Sequence, residues 1–251
     1  MKNNQKFVSL LTAGLLLNLL HMAVEPTIAQ STSNSSDSLS PVLFKPPPDD
    51  AKPQDTAGAG SRGQCPQDVT SDTLTNQPSL MALVPPTNYG LTLAAHPTFW
   101  VYLPKTSAKQ VVLIFREEGT QYYSETFIPI SSAPGVISVT PSQDSPALEV
   151  GKNYQWALVL MCGEVLDPND PILMSWVRRV APSQSTFDQL DQTTPLEQAV
   201  WYGKQGIWYD ALTALAQVKR SQPNNKILAD IWAKFLESAG LGVVSTEPLR
   251  F

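Results

Sequence analysis

The fifteen residues from Leu148 to Cys162, LEVGKNYQWALVLMC, constrain the fold more than any other stretch of this chain. Leu148, Gly151 and Tyr154 carry the spacing of a tyrosine corner, in which a Tyr hydroxyl bonds back to backbone a few residues upstream and fixes where an inter-sheet strand begins. Trp156, Leu158, Leu160 and Cys162 then recur at period two, so one face of that strand is buried. A chain built this way needs a second β layer for the buried face to pack on. The stretch specifies a scaffold and carries no chemistry of its own.

Candidate neighbours surround it. Leu80 to Val84, Gly90 to Ala95, Thr98 to Leu103, Gln110 to Glu117, Gln121 to Ile130, Val136 to Val139 and Ile172 to Val180 are rich in β-branched or aromatic residues. Pro, Gly, Asn or Asp bound each of them. Glu117-Glu118-Gly119-Thr120 reads as a hairpin turn, because Gly119 takes φ > 0 at little cost. Strands at this spacing predict a β-sandwich over residues 64–182, of fibronectin type III or immunoglobulin-like type, with 154–162 as its sixth strand and 172–180 as its last.

Past Pro182 the period changes to about 3.6. Thr194-Pro195-Leu196-Glu197 is a capping box with proline at the first helical position, and predicts a helix running to about Tyr202. Further helices fit 207–220 and 225–239, the last stopped by Gly240. The expectation is a mainly β chain with an α-helical C-terminal part, three helices within 190–245 packed on the sandwich. They resemble one tetratricopeptide unit, with Ala199, Tyr202, Ala211, Leu215 and Val218 at its small, aromatic and packing positions. A single unit of that kind cannot bury its own face, so it must lie on the sandwich or on a partner.

The other end has a different character. Lys2 and Lys6, an apolar core from Phe7 to Leu20 and the small residues before Gln30 have the shape of a secretory signal over residues 1–29. The alternative is a membrane anchor, for which this core is short. Residues 30–63, rich in Ser, Pro, Asp and Gly, are read as a disordered linker in which only Val42-Leu43-Phe44 offers anything to dock. Cleavage after Ala29 removes two lysines and Glu25 and leaves 15 basic against 21 acidic residues. That mildly acidic balance argues against nucleic acid or an anionic membrane surface as partner, and the chain after cleavage offers no stable membrane insertion. Cys65 and Cys162 are then expected to form one disulfide, a buried free pair or a redox couple being the alternative.

Chemistry-bearing patterns are sparse. Past residue 29 there is one histidine, His96, with no nucleophile elbow to serve, and Arg178-Arg179 reads as a solvated edge. Asp167-Pro168-Asn169-Asp170 crowds oxygen-bearing side chains into one loop, read as an Asp-Pro turn rather than a calcium site. No catalytic, cofactor-binding or metal-ligating residue is assigned, and Leu148, Gly151, Tyr154 and Trp156 are structural. Trp201, Tyr202, Trp208, Tyr209 and Trp232 form the candidate interaction surface; Tyr122 and Tyr123 point to opposite faces of their strand, which can leave one ring exposed, with core or rim packing as the favoured reading.

The blocks RGQCP at 62–66, ALVPPTNYGLTLAAHPTFWVYLP at 82–104, LEVGKNYQWALVLMC at 148–162 and GIWYDALTALAQVKR at 206–220 together resemble the cyanobacterial domain of unknown function 928 family, over about residues 62–245. That resemblance implies an exported, envelope-associated protein, periplasmic or secreted, and brings no catalytic residues with it. The leading expectation is a non-enzymatic module that binds an unidentified envelope protein. A glycan-binding or glycan-cleaving module is the competing one.

Overall fold

Two sheets are assembled, and eight of the nine strands described overlap stretches expected from the sequence. In the computed structural model the described residues are 41–47, 53, 63–69, 78–121 and 123–250, all within one unit, Ser40–Phe251. The leader expected at 1–29, most of the linker at 30–63, and Tyr122 lie outside them. β1 (Met81–Ala82), β3 (Phe99–Leu103), β6 (Gly135–Val139) and β9 (Leu249–Arg250) make a four-stranded sheet in the order β1-β3-β6-β9. The five-stranded sheet runs β2 (Tyr89–Thr92), β8 (Ile172–Arg179), β7 (Asn153–Met161), β4 (Gln110–Glu117) and β5 (Tyr123–Pro129). All its pairs are antiparallel except β2 with β8, which run parallel.

Alternation along the strands decides which side chains meet. Val111, Leu113 and Phe115 of β4 and Trp156, Leu158 and Leu160 of β7 point into the main core, where Trp156 stacks on Phe99 of the other sheet at 4.6 Å between ring centroids. Gly119, at φ +76°, turns β4 into β5. The stretch before β7 is held from several sides. Tyr154 accepts a hydrogen bond at its hydroxyl from the Glu149 N–H at 3.0 Å, and Gly151, at φ +85°, donates its N–H to the Arg179 carbonyl.

Cys65 and Cys162 are joined in a disulfide across 97 positions, with Cα atoms 5.4 Å apart. Beside it Asp68 accepts from the Thr106 hydroxyl at 2.6 Å and from the Ser107 N–H at 2.9 Å, which ties the segment before β1 to the loop after β3.

Among the described residues there are four α-helices where three were expected. α1 (Gln184–Leu190) is the addition, started by Ser183 whose hydroxyl accepts from the Thr186 N–H. Its residues carry no apolar stripe, which is why periodicity passes over it. α2 (Pro195–Gln205) begins at the capping box and continues three residues beyond the expected Tyr202, to Gly206 at φ +73°. α3 (Trp208–Ser221) and α4 (Lys226–Ser238) follow, the latter capped by the Asn225 side chain. After α4 the chain returns to the four-stranded sheet, where β9 pairs parallel with β6. A two-residue strand leaves no periodic signal, and sequence reading did not anticipate it. None of the described helices is long and apolar enough to cross a membrane.

α3 is the contact between layers. Trp208 donates its indole N–H to the Leu83 carbonyl at 2.8 Å. Tyr209 accepts at its hydroxyl from the Trp156 indole N–H at 2.9 Å and donates to the Trp176 carbonyl at 3.0 Å. A Cβ on Gly90 would sit 2.9 Å from the Tyr209 ring, so this glycine lets β2 come close to the helix.

Candidate functional site

Helix aromatics were the surface that sequence reasoning favoured, and burial corrects that reading. Trp208 and Trp232 are 0% exposed and Tyr209 1% exposed, so these three are core residues that no partner can reach. Burial also raises the Tyr209 phenol well above its usual range. Trp201 and Tyr202 are only partly buried and meet edge to face at 5.6 Å. Trp232 lies under the Lys219 ammonium, 5.5 Å from its ring centroid, and burial lowers the Lys219 pKa.

The turn between α2 and α3 is already occupied by the chain itself. Residues 41–47 lie across it, with Val42 1% exposed and the Phe44 ring edge-on to Trp208 at 4.9 Å. Lys45 donates its N–H to the Gly203 carbonyl at 2.9 Å and Phe44 donates to Ser238 Oγ at 3.4 Å. Gly203 permits the approach, since a Cβ there would stand 2.6 Å from the Leu43 carbonyl oxygen. The linker expectation is therefore corrected for 41–47, which forms a strap on the helices.

The outer face of the five-stranded sheet is the better candidate surface. Register brings Val112, Val159 and Ile172 side by side there, with Ile114 and Met161 adjoining. Val112 and Val159 are 0% and 8% exposed, in a cluster separate from the main core, and the helix contact with β7 through Tyr209 and Trp156 is made on the opposite, inward side. Around this apolar centre Tyr123 is 55%, Phe127 53% and Met174 40% exposed. A trough of about 430 Å³ runs between Ile114, Tyr123, Ala157 and Met174, flanked by Glu125 and by Arg116, which donates to Gln155 Oε1 at 2.7 Å. β5 ends the sheet, so its outward backbone edge meets no further strand among the described residues. At the far end Lys152 bridges Glu117 and Glu149 at 3.0 Å each, and those two hydrogen bonds raise its pKa.

This face was legible only in part. β4 and β7 are apolar on both sides, and the period-two reading registered the inward residues while passing over Val112, Ile114, Val159 and Met161. Tyr123 does turn its ring outward as its strand position implies.

Other singled-out residues serve the scaffold. Arg179, read as a solvated edge, donates to the Leu93 carbonyl at 3.1 Å and to the Leu148 carbonyl at 2.7 Å, clamping β2 to the turn before β7. Asp170 spends its carboxylate on the N–H groups of Cys162 and Asp167, and Asp167 accepts from Asn169. Among the described residues no three His, Cys, Asp or Glu side chains gather as a metal site.

A family model described as Domain of Unknown Function (DUF928) matches residues 57–249. The chain belongs to the DUF928 family. No curated protein matches it. The family match spans both sheets, the disulfide and all four helices, so the outer face and the α3 contact belong to the DUF928 unit.

Proposed function

We propose that this DUF928 protein is an exported, non-enzymatic module of the cell envelope that holds a second protein against the outer face of its five-stranded sheet. The observation that carries the reading is the apolar centre at Val112, Val159 and Ile172, ringed by exposed Tyr123, Phe127 and Met174 beside the sheet edge at β5. Contiguous apolar surface with a polar rim is what protein interfaces present, and an edge strand adds backbone hydrogen bonds to the offer. We read the two layers as an immunoglobulin-like or fibronectin type III-like sandwich, supported by the Tyr154 hydroxyl bond, the buried Trp156 and the parallel β2–β8 pair. α2 and α3 are read as a tetratricopeptide-like pair whose Ala199 and Ala211 are buried. Export rests on the leader-like residues 1–29 and agrees with a structural disulfide, which persists in oxidising compartments.

A photo-crosslinking residue at Phe127 tests this in the native envelope fraction. The expected result is one discrete adduct with a protein, lost when Met174→Lys disrupts the face while thermal stability stays put, since Met174 is exposed. Crosslinking indistinguishable from that of a residue placed at exposed Ile227 on α4 refutes the reading. A glycan partner is the second reading, favoured by the exposed rings of Tyr123 and Phe127 on one face. A carbohydrate adduct in place of a protein would select it.

A further inference from the structure

On the helix-facing side of β2, away from the face just described, a cleft of about 170 Å³ opens between the sheet and helices α2 and α3. A water in the liquid takes up about 30 Å³, so the space holds roughly five or six waters or one small organic group. Asp210 of α3 lines it, accepting from the Leu93 N–H at 3.1 Å and from the Thr92 hydroxyl, and burial raises its carboxyl pKa to about 6. His96 lines it too, with Nε2 2.9 Å from the Ser145 carbonyl. A carbonyl oxygen can only accept, so Nε2 donates to it, and with a single ring proton Nδ1 is left as an acceptor. Gln198 donates its amide to the Leu190 and Thr193 carbonyls, which leaves its side-chain oxygen as acceptor. Tyr202 stands across from Asp210, and burial, then the charges of Asp210 and Asp191, raise its phenol pKa. Neither lysine nor arginine is among the lining residues, and Asp210 is their only carboxylate.

We propose that this cleft binds a primary ammonium group, on a small free amine or on a lysine side chain, with Asp210 as its counter-charge and Gln198 and His96 as surrounding acceptors. An ammonium has three donors and no acceptor, and the lining offers it one carboxylate, the Gln198 oxygen and hydroxyls that can accept. An anion would meet an acid and no cation. A neutral polyol would leave the sheltered Asp210 carboxylate without a counter-charge. An ionised carboxylate in a sheltered site is costly until a cation joins it, so binding and ionisation of Asp210 are linked.

The test is a titration of the purified protein followed by NMR of the Gln198 and Gln217 side-chain amides, with ethanolamine, Nα-acetyl-lysine amide and ethylene glycol as probes. Saturable shifts with either amine and none with ethylene glycol are expected, the two amines telling a free ligand from a lysine-bearing one. Below about pH 6 the affinity should fall about tenfold per unit as Asp210 takes up its proton. Thr92, His96 and Tyr202 line the cleft with Asp210 from the neighbouring elements. A His96→Gln variant that still shows the fall assigns it to Asp210. Asp210→Asn should weaken the amine at least tenfold, and if that variant fails to fold, the pH series on the unaltered protein decides. An equal response to ethylene glycol, no saturation, undiminished affinity in Asp210→Asn, or a pH effect that vanishes with His96 overturns the proposal.

Discussion

Removing one oxygen atom tests how the helices are joined to the sheets. In Tyr209→Phe the ring keeps its place, edge-on to Phe99 at 5.0 Å, but the hydroxyl between Trp156 and Trp176 is gone. Trp156 is 0% exposed, so its indole N–H is left buried without its acceptor. Stranding a buried donor costs about 1–3 kcal/mol, and the second lost bond brings the expected loss to about 3 kcal/mol. For a chain of this size each kcal/mol corresponds to a Tm change of about 2–4 °C, so a fall of roughly 6–12 °C is expected. Urea unfolding should show the same loss in midpoint with an unchanged slope. Trp156→Phe removes the donor, so the double variant should lose less than the two single losses combined, by about 1 kcal/mol or more. A Tyr209→Phe variant within about 0.5 kcal/mol of the parent, or strict additivity in the double variant, refutes the role assigned to this bridge.

Gly203→Ala probes the strap with a sign. In a bare helix the change stabilises by roughly 0.5–1 kcal/mol, but here the new methyl would stand 2.6 Å from the Leu43 carbonyl. The expected outcome is net destabilisation with Val42 and Phe44 newly exposed to hydrogen exchange or surface labelling, and a stabilised variant with both still protected would remove the strap from α2. Reduction of Cys65–Cys162 reopens a loop spanning 97 positions, which chain entropy values at about 5 kcal/mol. A reductant should lower Tm in the parent and leave a Cys65→Ala/Cys162→Ala variant unmoved, whereas equal stability of the reduced and oxidised parent would show that the crosslink adds nothing.

What the amino-acid order determined by itself is everything whose cause lies within a few neighbouring residues. Gly119 and Gly151 occupy turns that need φ > 0, Thr194 and Glu197 cap each other, and period-two runs become strands, because backbone sterics and local hydrogen bonds act over that range. Cys65 and Cys162 were also legible, since two such residues leave a single intramolecular pairing. Tertiary structure decided the rest. Trp208, Tyr209 and Trp232 carry the same apolar pattern whether a helix faces solvent, a partner or its own sheet, and only packing against Leu83 and Trp156 places the first two inside. The strap at 41–47, the returning strand β9 and the cleft that unites Asp210, His96 and Gln198 join segments far apart along the chain. Apart from the apolar run Val42-Leu43-Phe44, nothing local marks them, because what they share is a volume to fill rather than a sequence signal.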